Sequence, residues 1–313
     1  MQYMLRFEDN FPLKEITALR IGGPARQFVV VSNKSELTEA LIYASQKNIP
    51  YLVIGGGSNL LVSDSGVNKL IIKNEMEGII KQGKTLKVAS GVILQHLVDY
   101  SIAHSLEGLQ KLSGIPGSIG GAVYGNAGAY GQTISDFIFE VKALDPNGQI
   151  ITFDKEECEF AYRSSLFKKK YYIVLEIVFK LNSGKTEQLR KEADEILEKR
   201  LIKYPKGIKC PGSFFKNLVA EELPLGILKR IPKEKIVFGK IPAGSLLEEV
   251  GAKGDSLGDI EIATYHANLF VNKGNGKASD FYELAKKYED LVYEKYGIKL
   301  EPEVQLLNLP PLG

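Results

Sequence analysis

Cysteine, histidine and long apolar runs are what this 313-residue sequence has least of. Its two cysteines, Cys158 and Cys210, lie far apart and in no CxxC, so neither a disulfide framework nor a zinc site is indicated. The three histidines, His96, His104 and His266, are scattered, and no metal site is expected. No apolar run approaches the ~18 residues of a membrane span. The opening "MQYMLRFEDNFPLKE" lacks the apolar core of a signal peptide. The expectation is a cytoplasmic protein with no membrane partner. Lys and Arg number 40 against 38 Asp and Glu, well mixed, for a net charge of +2. Without a basic stripe, nucleic acid is not an expected partner. What is present, 44% hydrophobic and 25% charged residues, is the composition of a globular protein. The length allows two or three domains.

The first third alternates strand and helix signals. "FVVVS" (Phe28–Ser32) reads as a strand, and Ser35 is the expected cap of a helix "ELTEALIYASQK" with Leu37, Ala40, Leu41 and Ala44 on one apolar face. "YLVI" (Tyr51–Ile54) is a second strand that runs into "GGGSNLLV". Strands at "KLIIK" and "LKVAS" follow, then a helix "ILQHLVDYSIAHS". Pro146-Asn147-Gly148 turns a hairpin between "FEVKALD" and "QIITFD". After a strand "YIVLEIVFKL", the longest amphipathic helix is "TEQLRKEADEILEKRLIKY" (Thr186–Tyr204), stopped by Pro205 and Gly207. Beyond that boundary a smaller α+β unit is expected: a helix at "SLLEEVG", a strand at "NLFVN", a helix closed by Gly297 and a strand at "EPEVQLL". The basic "KKK" (Lys168–Lys170) reads as a solvated strand entrance.

Two glycine-rich turns carry the chemical signal. In "GGGSN", Gly55, Gly56 and Gly57 expose backbone amides, and Ser58 and Asn59 add side-chain donors, the composition of an anion nest. It is no Walker A, because no Lys-Ser or Lys-Thr follows at the required spacing, and Leu60 stands where a Rossmann fingerprint needs its third glycine. The second turn lies in "GIPGSIGGAVYGNAGAYG" (Gly114–Gly131). There Pro116 stiffens the entry, and Gly117, Ser118, Ile119, Gly120 and Gly121 offer amides. Either turn alone could be a tight structural corner, and the second could be a kinked pair of closely packed strands. Together they suit the two ends of one pyrophosphate, which points to a dinucleotide held by backbone.

Those turns, preceded by "TALRIGGPA" (Thr17–Ala25), resemble the flavin-binding domain of the vanillyl-alcohol-oxidase type. "AYRSSLF" (Ala161–Phe167), "CPGSFFKN" (Cys210–Asn217), "IPAGSLLEEVGAKG", "YHANLFVN" and "EPEV" then occur in order. With these the chain is similar, over most of its length, to the UDP-N-acetylenolpyruvoylglucosamine reductase family of bacterial cell-wall synthesis. The resemblance implies an α+β fold: two FAD-binding subdomains, 1–78 and 79–204, and a substrate domain, 205–313. It implies FAD as cofactor, held by the two turns and by Asn126, Ala127 and Gly128, and NADPH as co-substrate. The implied reaction reduces the enolpyruvyl group of UDP-N-acetylglucosamine enolpyruvate to give UDP-N-acetylmuramate.

The same resemblance assigns roles. Arg163 would stabilise the developing enolate, Ser213 would donate the proton, and Glu303 rather than Glu301 of "EPEV" would complete the catalytic set. Tyr162, Lys216, Asn217 and His266 would bind substrate. Arg163 and Ser213 stand only 50 positions apart, a gap mostly filled by one strand and the long helix. The chain therefore matches the shorter type that lacks a tyrosine loop over the substrate diphosphate, and Tyr204 or Lys206 are candidates for that cover. Gly125 also departs from the family, which commonly has a bulkier residue before the Asn. A monomer is expected. A flavin oxidase on another substrate would lack the C-terminal motifs, and a non-catalytic binding module would have lost Arg163, Ser213 or Glu303. All are present.

Overall fold

The computed structural model describes residues 5–313. The chain packs into two compact units. One holds the residues up to Phe11, Arg26–Gly56 and Asn68–Pro205; the other holds Pro12–Ala25, Gly57–Val67 and Lys206–Gly313.

The first unit has two larger sheets and two short two-stranded pairings. Strands Glu8–Pro12, Pro24–Val31, Val67–Asn74 and Tyr51–Ile54 lie in that order, the last two parallel with Tyr51 opposite Leu70. The helix Lys34–Gln46 buries Leu37, Ala40 and Ala44 against Val29, Val31, Leu70 and Ile72 of this sheet. Its cap is Asn33 and not Ser35: Asn33 Oδ1 accepts from the Glu36 N–H at 3.0 Å, and Glu36 reaches back to the Ser32 N–H at 2.7 Å. That reciprocal pair starts the helix earlier and puts Ser35 inside it.

The second sheet is antiparallel, in the order Ile150–Asp154, Ile138–Leu144, Ile173–Lys180, Thr85–Ala89 and Ile79–Gln82. The expected hairpin around Asn147 is its first pair, with Leu144 opposite Ile150. Helix Leu94–Ala103 contributes Leu94, Leu97, Val98 and Ile102 to its core. The long helix Thr186–Lys203 adds Leu189 and Ala193. A further helix, Ile119–Tyr124, lies inside the glycine-rich stretch, where only a backbone loop is expected. Ser118 caps it, Oγ accepting from Gly121 N–H at 3.4 Å, and Ile119 and Val123 are buried in the core. That burial outweighs the cost of about 1 kcal/mol for each glycine in a helix.

In the second unit, strands Ser256–Leu257, Ile260–Ile262 and Phe270–Asn272 form an antiparallel sheet, and Gln305–Leu307 pairs in parallel with Leu60–Val62. The rings of Phe214, Phe215, Phe270 and Phe281 interlock with centroids 4.7 to 6.4 Å apart. Helix Ala278–Tyr296 supplies Phe281 to this cluster. Asp64 caps its start by accepting from Ala278 and Ser279 N–H at 2.8 and 2.9 Å, and Gly297, at φ +70°, ends it in the left-handed conformation expected of a helix-terminating glycine. No helix of the described residues is long and apolar enough to cross a membrane.

Helix Ala243–Glu249 is tied to helix Ala278–Tyr296 through Glu249. Hydrogen bonds from Lys235, Tyr296 and Lys295 hold the Glu249 carboxyl down at about 2, from an ordinary value of 4.5. A carboxyl lowered in the fold stabilises it above about 4.5 and loses that contribution as pH falls toward about 2. Glu249→Gln should therefore lower the urea midpoint at neutral pH, with the gap to wild type closing across that acid window. A gap that did not change with pH would contradict the assignment. With the side chain 32% exposed, solvent screening keeps the effect modest.

Candidate flavin and substrate site

Gly55 and Gly56 of the first glycine turn meet the second turn inside the first unit. A Cβ on Gly55 would run into Ser118 Oγ, and one on Gly56 would stand 2.8 Å from Gly117 Cα. Bare backbone is thus needed for the turns to touch at all. Not every amide of the second turn faces outward. Ile119 N–H donates to Val92 O (2.8 Å), Gly120 N–H to Ser90 O (2.7 Å), and Gly121 N–H to Ser118 Oγ. The expectation that all of Gly117 to Gly121 present amides is therefore corrected. Among the described residues, no hydrogen bond takes up the N–H of Gly117 or Ser118.

Past the short helix, the chain turns at Asn126 (φ +43°) toward Ala127 and Gly128. Asn126 is only 5% exposed; its Nδ2 donates to Ala161 O at 3.0 Å, and its Oδ1 is buried with no hydrogen-bond donor among the described residues. Ala161 and Ser164 exchange two backbone hydrogen bonds around the tight turn Tyr162-Arg163, with Arg163 at φ +53°. Arg163 Nη2 donates to Gly128 O at 3.2 Å, its guanidinium lies 5.3 Å from the Tyr162 ring centroid, and Ser165 Oγ donates to Tyr124 O. Arg163 and the Asn126–Gly128 segment are thereby brought together. Two non-glycine residues held at positive φ mark a strained spot of the kind that clusters at functional sites. Nearby Cys158 is no nucleophile: burial, then Asp154, Glu157 and Glu156, pushes its thiol up to about 12.

The second unit assembles Ser213 and Glu303. Residues 213–217 run between two neighbours. On one side Ser213 bridges Leu269, and Phe214 N–H donates to Asn268 O at 3.0 Å. On the other, Glu303 N–H donates to Phe214 O at 2.7 Å and Lys216 N–H to Glu301 O at 2.9 Å. Asn59 Nδ2 donates to Glu303 O at 3.0 Å, and Asn59 O accepts from Gln305 N–H. Asn59 therefore also fastens the Glu303 backbone. Lys216 pairs with Glu301 at 2.7 Å; Asn217 Oδ1 accepts from Ala243 N–H at the head of a helix; His266 Nδ1 accepts from Asn268 N–H. The residue missed in the sequence is Asn268. It is buried, and its carboxamide accepts from Phe215 N–H and donates to Phe215 O, both at 2.8 Å. Its signal was its place in the "YHANLFVN" motif, at the head of the run "NLFVN".

Comparison with known proteins decides the family. The pattern of an FAD binding domain matches residues 25–154, and that of the UDP-N-acetylenolpyruvoylglucosamine reductase C-terminal domain matches 204–307. A UDP-N-acetylenolpyruvoylglucosamine reductase of Solibacter usitatus is 38% identical over 305 residues, 97% of either chain. One from Caldanaerobacter subterraneus is 32% identical, covering 96% of this chain and 93% of its own. The chain belongs to the UDP-N-acetylenolpyruvoylglucosamine reductase family. The crystal structure of the reductase from Thermus caldophilus superposes with a TM-score of 0.78 at 32% identity, covering 97% of this chain and all of that one. Membership makes the chain an oxidoreductase with an FAD-binding domain of the vanillyl-alcohol-oxidase type followed by the reductase C-terminal domain, the α+β architecture its motifs imply.

The residues present fit a flavin dinucleotide. Gly55 and Gly56 present only backbone where they meet Ser118 Oγ and Gly117, and the buried Asn126 Oδ1 is an acceptor that needs a donor. The close approach also yields a test. Gly56→Ala should cost about 1–3 kcal/mol in urea unfolding, because its methyl meets backbone. Gly121→Ala, whose Cβ meets Ser118 Oγ at an ordinary 3.7 Å, should be neutral or slightly stabilising. Equal losses would contradict the packing account.

Proposed function

We propose that this chain reduces the enolpyruvyl group of UDP-N-acetylglucosamine enolpyruvate to UDP-N-acetylmuramate with NADPH and FAD, a step of peptidoglycan precursor synthesis on which cell shape and division depend. The observation that supports this most is the full-length match to named reductases, with the Ser213 and Glu303 backbones held side by side through Phe214. The two flavin subdomains would be 1–78 and 79–204, with 205–313 for the nucleotide sugar, in a cytoplasmic monomer.

Bound FAD, reduced by NADPH, supplies a hydride to the vinyl carbon of the substrate. Gly55, Gly56, Gly57 and Ser58, with Gly117 and Ser118, would hold its diphosphate through backbone and hydroxyl donors, and Asn126 to Gly128 would lie along the ring end. Ile119, Gly120 and Gly121 would line the cradle by close approach, their amides being committed elsewhere. Hydride addition beside a carboxylate throws negative charge onto the α carbon and the carboxylate oxygens. Arg163, permanently charged and forked like a carboxylate, would stabilise that charge. Its hydrogen bond to Gly128 O and the tight turn that carries it reduce its freedom before substrate arrives.

Ser213 would then protonate the α carbon. A hydroxyl is a weak acid, but an enolate carbon is a strong base, so the transfer is feasible where the group is fixed and water excluded. Pairing on both flanks fixes the Ser213 segment. Glu303 would orient the Ser213 hydroxyl or the enediolic acid form and, with Arg163, stabilise the enolate. Tyr162, Lys216, Asn217 and His266 would line the substrate. For Asn217 and Lys216 that role adds to the structural bonds they already make.

Ser213→Ala should leave reduction of the bound flavin by NADPH within about threefold of wild type. Oxidation of the reduced flavin by the nucleotide sugar should slow by at least about 100-fold, the scale of a lost general acid. Stopped-flow measurement of the two half-reactions checks this. Equal loss in both would remove Ser213 from the role of proton donor.

A further inference from the structure

Asn126 is the one residue of the glycine-rich stretch whose side chain faces two ways. Its amide orientation is fixed by its neighbour: Nδ2 donates to Ala161 O at 3.0 Å, and a flipped amide would set two acceptors against each other. Oδ1 must then point the other way. It is buried, and among the described residues no donor reaches it. Leaving such an acceptor unsatisfied costs about 1–3 kcal/mol, so a ligand donor is the natural partner. The backbone around it is committed as well, with Asn126 held at φ +43°, a conformation Asn tolerates better than most residues.

The position says which donor. Ala161 O, the acceptor for Nδ2, begins the turn that carries Arg163, and Arg163 Nη2 returns to Gly128 O two residues after Asn126. A residue laced to that arginine belongs at the reacting end of the cofactor and not at its phosphates. The oxidised isoalloxazine ring has a single N–H, at N3; its other polar ring atoms and carbonyls only accept. We propose that Asn126 is a positioning residue: Oδ1 accepts the flavin N3–H while Nδ2 holds the Arg163 turn, so that one carboxamide sets the ring and the arginine in register. This rests on the reading of the chain as a flavoprotein.

The test compares FAD with 3-methyl-FAD, in which N3 carries a methyl group and cannot donate, binding to the full-length chain stripped of flavin. Wild type should bind FAD at least about tenfold more tightly, the scale of one unsatisfied buried acceptor. In Asn126→Ala, which removes the acceptor and makes room for the methyl, the preference should fall to within about twofold. Equal affinity in wild type, or an undiminished preference in Asn126→Ala, overturns the proposal. The wild-type comparison alone decides should the variant fail to fold. If wild type takes up neither flavin, the flavoprotein reading itself fails. Asn126→Asp keeps an acceptor but loses the donor to Ala161. It should retain the preference for FAD yet slow sugar reduction at least about tenfold more than flavin reduction by NADPH; wild-type turnover there overturns the link to the arginine turn.

Discussion

Close packing of Gly55 on the Ser118 side chain and of Gly56 on the Gly117 backbone is the constraint from which the flavin-binding unit is built. A Cβ on Gly55 or Gly56 would collide there, so the first turn can approach the second only as glycine. The approach also places the next segment of chain. Gly120 N–H anchors on Ser90 O and Ile119 N–H on Val92 O, which plants the short helix Ile119–Tyr124 in the core. The end of that helix delivers Asn126, and Asn126 fixes Ala161 and the turn of Arg163. A glycine contact is thus connected by a chain of hydrogen bonds to a charged group proposed for catalysis.

The C-terminal unit solves a different problem, holding Ser213 and Glu303 on segments 90 residues apart in sequence. Ladder-like main-chain bonds do most of it. Where the ladder lacks a backbone partner, Asn268 substitutes its carboxamide and bonds both polar groups of Phe215. Buried and paired through both its oxygen and its nitrogen, such an amide fixes register as well as stability. The four interlocked phenylalanine rings supply the apolar support beneath.

The elements that periodicity announces were legible in the sequence: the strand Tyr51–Ile54, the hairpin around Asn147, and the helices Thr186–Lys203 and Ala278–Tyr296 with its Gly297 stop. The family was legible from ordered motifs. The helix cap was misread although its signal is local: Asn33-x-x-Glu36 is a capping pattern, and the bonds of Glu36 to Ser32 and Asn33 select Asn33 over Ser35. The rest of what stayed hidden depends on tertiary contact. Glycine argues against a helix at 119–124, and only burial of Ile119 and Val123 overrides it. The division of amides between protein and ligand in the second turn depends on Ser90 and Val92, far earlier in the chain. Asn268 reads as one polar residue in a strand until its partner is seen.

The glycine turns are proposed to hold a flavin that passes electrons from NADPH to an enolpyruvyl nucleotide sugar. An anaerobic two-step titration of the purified chain, with visible flavin absorbance as the readout, follows both transfers. Addition of NADPH should bleach the bound FAD, and UDP-N-acetylglucosamine enolpyruvate should then restore the colour mole for mole. A chain that takes up no FAD, or a reduced flavin that the nucleotide sugar leaves bleached, would contradict the account.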